Sequence, residues 1–184
     1  MKYAICNEMF GSLEFARAAD LLAEHGYTGV EIAPYTLFGD FSAPAVRRGL
    51  AAAKSALASS GLLFAGLHWL FVKPDGLRLS SADPAERSRA WDHLRLLLDV
   101  SGELGGGVLV FGSPKQRSSR GNSRAEALEL FAGGLSAAAD YAEERRSTIL
   151  LEALSSRDTD IVNTLDEAAA LVRRIGKPPP HGDC

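Results

Sequence analysis

Several features that would point to a function class are scarce in this sequence. It has two cysteines, Cys6 and Cys184, which lie at opposite ends without the spacing of a metal or redox motif. No apolar run approaches the ~20 residues that span a bilayer, and the start of the chain lacks the charged and then apolar pattern of a signal peptide. The net charge is only -3, with acidic and basic residues interspersed, so no basic surface suggests nucleic acid. These absences predict a cytoplasmic protein that binds neither nucleic acid nor membranes.

The residues that are present suit one folded domain. The 184 residues are 46% hydrophobic and 23% charged, a composition typical of a globular chain with a packed core. Short β-rich runs alternate five times with longer stretches of helical periodicity. The predicted strands span residues 3–7, 29–33, 63–69, 108–112 and 148–152, and the predicted helices span about 13–25, 43–59, 84–104, 124–146 and 165–175.

Helix boundary signals support this division. The pairs Ser123/Glu126 and Thr164/Glu167 each have the spacing of a capping box, which is typical of a helix start. Strands separated by helices pair in parallel through right-handed crossovers. The sequence therefore predicts an α/β fold.

The predicted loops differ in length at the two ends of the strands. Helix-to-strand links are brief, whereas the strand-to-helix links span residues 70–82, 113–122 and 153–163. Long loops in compact domains usually carry function, and parallel α/β proteins place their chemistry at the carboxyl ends of the strands. The glycine run 105–107 comes before the fourth strand, so it is a helix-to-strand turn and disfavours nucleotide binding.

Five segments at or near the predicted strands resemble a known family. They are residues 2–8 (KYAICNE), 26–32 (GYTGVEI), 66–70 (GLHWL), 109–114 (LVFGSP) and 150–152 (LLE). In this order they are similar to the xylose-isomerase-like TIM-barrel superfamily, in particular the sugar phosphate isomerase/epimerase branch with D-tagatose 3-epimerase and hydroxypyruvate isomerase. The resemblance implies a partial (β/α)8 TIM barrel of five parallel βα units with strands 6–8 largely missing, since a full barrel needs roughly 250 residues. Residues 1–176 are then an incomplete TIM-barrel domain and 177–184 an irregular tail.

The resemblance also implies a chemistry. Family members transfer a proton next to a sugar carbonyl through an ene-diolate, with a divalent metal (Mn, Mg or Co) on the substrate oxygens. The strand-five ligand and acid/base would be Glu152, for which a solvated or salt-bridged carboxylate is the alternative. Asp183 would be the strand-six ligand, although prolines 178–180 favour a frayed terminus instead. Without ligands from strands seven and eight, this chain alone is expected to be inactive.

Polar residues at two other predicted strand ends would line the substrate pocket. The resemblance gives His68 this role, with a core histidine bonded to a backbone carbonyl as the alternative. Strand alternation places His68 on the face opposite Trp69, which either walls the pocket or packs in the core. Glu8 lines the same pocket or is solvated. Glu31 points into the barrel, where it has a pocket role or forms an internal ion pair.

Two loops add further substrate-binding candidates. Lys115, Arg117 and Arg120 lie within residues 113–120 and would grip a phosphate or carboxylate of the substrate; a flexible solvated loop is the alternative. Asn163 either contacts substrate or helps to cap the last predicted helix. The expected ligand is a small-molecule sugar or sugar phosphate.

Two rival functions fit the same residues. One is a non-catalytic sugar-phosphate-binding module around His68 and Lys115. The other is a structural remnant that self-associates as a homo-oligomer, because an unclosed barrel exposes its edge strands. Endonuclease IV, of the same superfamily, is set aside because its strand-four histidine has no counterpart in residues 110–113.

Overall fold

The computed structural model describes residues 1–176, and the predicted tail with Asp183 lies outside them. The described chain alternates strands and helices as predicted, with one additional short helix. In chain order the elements are β1 (Ala4–Cys6), α1 (Phe15–Glu24), β2 (Gly29–Ile32), α2 (Pro34–Phe38), α3 (Ala43–Ser60), β3 (Leu63–Leu67), α4 (Pro84–Glu103), β4 (Val108–Phe111), α5 (Arg124–Glu144), β5 (Thr148–Leu151) and α6 (Leu165–Ile175). Among residues 1–176, no helix is both long enough and apolar enough to cross a membrane.

All five strands form one parallel sheet in the order β1-β2-β3-β4-β5. Each strand therefore pairs with the next one along the chain, as in the sequential part of a (β/α) barrel. The predicted α/β fold is confirmed, and β1 and β5 are the edges of the described sheet. The carboxyl ends of the five strands, and the long loops that follow them, lie at one end of the sheet.

The hydrophobic core lies between the sheet and the helices. Alternate residues of the central strands are fully buried against the helices: Val30, Ile32, Leu67, Leu109 and Phe111. Burying a side chain of this size contributes roughly 1.5–3 kcal/mol. The residues between them point to the other face of the sheet, where Val108 and Leu150 stay exposed over 37% and 52% of their surface. Within residues 1–176, that second face has no covering layer of helices.

Two predicted helix starts are confirmed, one with a modification. The Ser123 hydroxyl accepts from the Glu126 N–H, and the Glu126 carboxylate accepts from the Ser123 N–H, which completes the capping box of α5. The Thr164 hydroxyl accepts from the Glu167 N–H at 3.1 Å, but the Glu167 carboxylate bonds the Asn163 N–H at 2.6 Å. Each cap contributes about 1 kcal/mol.

The predicted end of the first strand is wrong. β1 stops at Cys6, and the chain turns at once into a 3-10 helix, Asn7–Phe10. The buried Asn7 side chain accepts from the Ala33 N–H at 2.7 Å and donates to the Thr36 hydroxyl at 2.9 Å. Because Asn7 is committed to the start of α2, it is not a free pocket residue.

The glycine run before the fourth strand is a turn, as expected. Gly106 has a φ of +86°, and a Cβ there would overlap the carbonyl oxygen of Arg146. Only glycine permits this close approach between the link into β4 and the link into β5. The run therefore has a packing role at the end of the sheet away from the long loops.

Candidate functional site

Glu152 follows β5 directly, at the carboxyl end of the sheet. Its N–H donates to the Phe111 carbonyl at 3.2 Å, so its main chain continues the pairing with β4. Its half-buried carboxylate lies over Gly112, where any Cβ would overlap it. Among residues 1–176, no side chain or N–H forms a hydrogen bond or ion pair with this carboxylate. The Glu152 carboxylate is therefore available to a ligand at the strand end.

The Arg117 side chain bonds the main chain of Glu152. The guanidinium is fully buried and donates to the carbonyls of Glu152 at 2.7 Å and Val162 at 3.2 Å. Its Nε has no hydrogen-bond partner among the described residues. Burial lowers the pKa of Arg117 to about 10, and the negative charge of Glu152 opposes this shift, so the guanidinium stays charged near neutral pH.

For Arg117, the alternative of a solvated side chain is wrong, because the side chain is fully buried. Its side chain turns inward because two carbonyls at the end of β5 and in the following loop need donors. Lys115, two residues earlier, is exposed as expected. Substrate contact by Lys115 and by Arg117 stays a prediction, and the Arg117 guanidinium bonds the carbonyls of Glu152 and Val162.

His68 and Trp69 form a stacked pair beyond the end of β3. Their ring centroids lie 5.7 Å apart with an interplanar angle of 24°. The prediction that they point to opposite faces is wrong, because β3 ends at Leu67 and Trp69 has a left-handed backbone with φ 57°. Trp69 remains 49% exposed, so it does not pack in the core, whereas the next residues, Leu70 and Phe71, are buried.

Glu31 points away from the helices, as expected, since its neighbours Val30 and Ile32 are fully buried on the helix side. Its Oε2 lies 3.6 Å from Nδ1 of His68. Cys6 is the third member of this group: one ligand atom from each of Cys6, Glu31 and His68 lies within 4.8 Å of the other two. All three side chains are half-buried.

Burial raises the pKa of the Cys6 thiol, the N–H of Glu8 opposes the shift, and the charges of Glu31 and Glu8 add to it. Glu8 is half-buried in the turn after β1, and its pocket role stays a prediction. The spacing of the two cysteines shows no metal motif, so Cys6 was not predicted as a site residue. The signal was present, since the three residues lie at or next to the carboxyl ends of three consecutive parallel strands.

Asn163 closes the loop after β5. Its Nδ2 donates to the carbonyls of Leu154 at 2.9 Å and Thr159 at 2.8 Å. Both amide hydrogens are therefore used within the loop, and Thr164 supplies the cap of α6. Substrate contact by Asn163 stays a prediction.

The histidine bonded to a backbone carbonyl in the core is His93, not His68. Its Nε2 lies 3.0 Å from the Leu70 carbonyl, and its ring meets those of Phe41 and Phe71 edge-on. Burial lowers the pKa of His93, and the bond to Leu70 opposes the shift. His93 was not predicted as a polar core residue because it lies within the periodic pattern of α4.

The described residues do not supply the ligand set of the divalent metal that the resemblance implies. Glu152 is the one implied ligand within residues 1–176, since Asp183 lies outside them. Glu152 also belongs to no group of three potential ligands in that range. One carboxylate offers too few donors to hold a divalent ion.

Comparison with known proteins settles the family. The family model described as the xylose isomerase-like TIM barrel matches residues 19–182. The chain belongs to the xylose isomerase-like TIM barrel family. The expected superfamily is thereby confirmed, and the sheet order matches a partial barrel of this kind. No curated protein sequence matches the chain significantly.

Solved structures of three sugar epimerases share the fold. A D-psicose 3-epimerase solved in the presence of D-fructose has a TM-score of 0.75 at 19% identity, over 96% of this chain and 61% of that one. A D-allulose 3-epimerase from Methylomonas sp., in complex with D-allulose, gives 0.72 at 23%, over 97% and 60%. A 3-keto-D-glucoside 4-epimerase from E. coli gives 0.76 at 18%, over 96% and 65%. This member of the xylose isomerase-like family thus spans about 60 to 65% of the length of these structures.

Proposed function

We propose that the chain provides the first five βα units of a sugar or sugar-phosphate isomerase/epimerase. The observation that carries this proposal is the Glu152 carboxylate at the carboxyl end of β5, which accepts no hydrogen bond within residues 1–176. Family membership and the sugar epimerases that share the fold support it. The low cysteine content favours the cytoplasm as its setting.

Glu152 would act as the base that removes a proton from the carbon next to the substrate carbonyl. Its position suits this role, because the main chain at Glu152 is fixed by Arg117 and by Phe111 while the carboxylate is free. Moving a proton from one face of a sugar carbon to the other needs a second acid on the opposite side. Within residues 1–176, Glu152 belongs to no group of three side chains of His, Cys, Asp or Glu type, and we expect no turnover by this chain alone.

The stacked pair of His68 and Trp69 would bind the substrate. A half-exposed indole offers an apolar surface for one face of a sugar ring, and His68 offers a hydrogen-bonding group beside it. Exposed Lys115 would meet the phosphate of a phosphorylated substrate. The same exposed pair favours a second candidate, a sugar-binding module without catalysis.

A turnover assay tests the catalytic proposal. The chain is incubated with D-fructose or D-allulose and with Mn²⁺, Mg²⁺ or Co²⁺, alone and with a fragment of a D-psicose 3-epimerase that supplies the remaining units. Epimer formation, followed by chromatography, is expected only in the combined sample. Glu152→Gln should remove it, whereas the exposed control Glu143→Gln should not. Robust turnover by the chain alone, or by the Glu152→Gln combination, contradicts the proposal.

A binding assay separates the two candidates. Saturation-transfer NMR with D-fructose, and with glucitol as the matched polyol lacking a carbonyl, measures sugar contact by the chain alone. The catalytic proposal predicts a preference for D-fructose that Glu152→Gln and Trp69→Ala both reduce. Equal binding of the two sugars that depends on Trp69 and not on Glu152 favours the binding module.

Self-association is the third role, and the edges of the described sheet support it. β1 and β5 have unpaired sides within residues 1–176, and Leu150 on β5 is half exposed. Unpaired strand edges favour pairing between chains. Sedimentation velocity should then show a dimer or larger species, and a monomer throughout the micromolar range excludes this role.

A further inference from the structure

Three side chains that can bind a metal ion lie close together near the carboxyl ends of β1, β2 and β3. Cys6 is in register with Glu31 across β1 and β2, and Glu31 is in register with Gly66 across β2 and β3. His68 follows two residues after Gly66, and its N–H donates to the Ile32 carbonyl at 3.0 Å. Since neighbouring strands lie about 4.8 Å apart, this register brings the three side chains together on the face turned away from the helices.

The spacing of their ligand atoms suits one small cation. In a tetrahedral zinc site, with bonds of about 2.0–2.3 Å, any two ligand atoms are about 3.3–3.6 Å apart. Nδ1 of His68 and Oε2 of Glu31 lie 3.6 Å apart, and all three ligand atoms lie within 4.8 Å of one another. The separations in the group therefore exceed those of a tetrahedral site by no more than about 1.5 Å.

The contact between Glu31 and His68 does not satisfy the hydrogen-bonding groups of these side chains. Their separation of 3.6 Å is too long for a hydrogen bond, and no described hydrogen bond reaches either carboxylate oxygen of Glu31 or either ring nitrogen of His68. Stacking on Trp69 holds the His68 ring in place. The three donors thus lie together at neighbouring strand ends, half-buried.

We propose that Cys6, Glu31 and His68 form a binding site for a zinc-class divalent ion. Thiolate, imidazole and carboxylate are the ligand types that zinc takes in proteins, and cobalt substitutes for zinc in such sites. Three protein ligands leave the fourth position to water, as in zinc sites that are open to substrate. The magnesium-class ions favour oxygen ligands and are expected to bind here weakly.

This group does not include Glu152, and it shares His68 with the sugar-binding pair of the proposed function. Glu152 follows β5, with β4 between it and β3, and it is not a member of the Cys6–Glu31–His68 group. Zinc binding at the group therefore does not depend on whether Glu152 is a catalytic base.

Cobalt titration of the purified, chelator-treated full chain tests the site. Wild type is expected to bind one equivalent with a thiolate-to-cobalt charge-transfer absorption and the visible bands of tetrahedral cobalt, and Zn²⁺ should displace it. Cys6→Ser should abolish the charge-transfer absorption, and Glu31→Gln and His68→Gln should each raise the dissociation constant more than tenfold. The matched controls Cys184→Ser, His25→Gln and Glu152→Gln should bind as wild type.

A wild-type experiment keeps the test independent of variant folding. Zn²⁺ should protect Cys6 from alkylation by iodoacetamide, read by peptide mass spectrometry, and a chelator should restore the reaction. Equal alkylation of Cys6 with and without Zn²⁺, absence of the charge-transfer absorption in wild type, its survival in Cys6→Ser, or unchanged affinity in Glu31→Gln each overturns the proposal.

Discussion

Replacing Arg117 by methionine should destabilise the fold strongly although the residue belongs to a loop. Methionine fills much of the same buried space but donates nothing to the carbonyls of Glu152 and Val162, which lose bonds of 2.7 and 3.2 Å. Hydrogen bonds to a charged group contribute about 1.5–3 kcal/mol each. Removing the buried cation recovers part of its desolvation cost, so we expect a net loss of about 3 kcal/mol.

Equilibrium unfolding in urea measures this loss. With a slope of about 2 kcal/mol per molar urea for a chain of this size, the midpoint should fall by about 1.5 M. Lys115→Met is the matched control, because it removes an exposed positive charge from the same loop, and it should change the free energy of unfolding by less than about 0.5 kcal/mol. Equal midpoints for Arg117→Met and wild type, or equal losses in the two variants, would refute the structural role of Arg117.

Three further predictions concern the site and the core. Gly112→Ala should lower the free energy of unfolding by less than about 1 kcal/mol, because the atom that the new Cβ overlaps is the movable end of the Glu152 side chain. The same variant should weaken D-fructose binding as Glu152→Gln does. A large loss of stability with binding intact contradicts this prediction. Asn163→Ala removes two hydrogen bonds and should cost about 1–3 kcal/mol, with faster trypsin cleavage at Arg157; unchanged cleavage contradicts it. The buried His93 has a lowered pKa, so the unfolded chain protonates first and stability present above about pH 6.5 should decline below it, by at most about 1.4 kcal/mol per pH unit. His93→Gln should flatten this decline in urea midpoints measured from pH 7.5 to 5, and an identical slope contradicts the assignment.

The fold was largely predictable because its signals are local. Hydrophobic periodicity and the start signals at Ser123 and Thr164 place the five strands and the long helices within a few residues of the observed bounds. The short helix α2 was missed because five residues are too few to show a helical period. Its position depends on the bonds from Asn7, a residue 26 positions before Ala33.

The site was less predictable because it depends on contacts between distant residues. A polar loop gives no local sign that Arg117 is buried, since its partners lie 35 and 45 residues further along the chain. Strand alternation misplaced Trp69 because a single left-handed residue ends the two-residue period. The strand-end position of Glu152, in contrast, was predictable, because a carboxylate that ends an apolar run marks the exit of a strand.

The bond from Arg117 to Glu152 affects which substitutions position 152 can accept. Arg117 contacts the carbonyl oxygen, which every amino acid has, and leaves the side chain untouched. Mutation at position 152 can therefore alter reactivity while the anchoring of the strand end is retained. If Glu152 is the proposed base, this arrangement would let related chains acquire new substrates without first acquiring new stability.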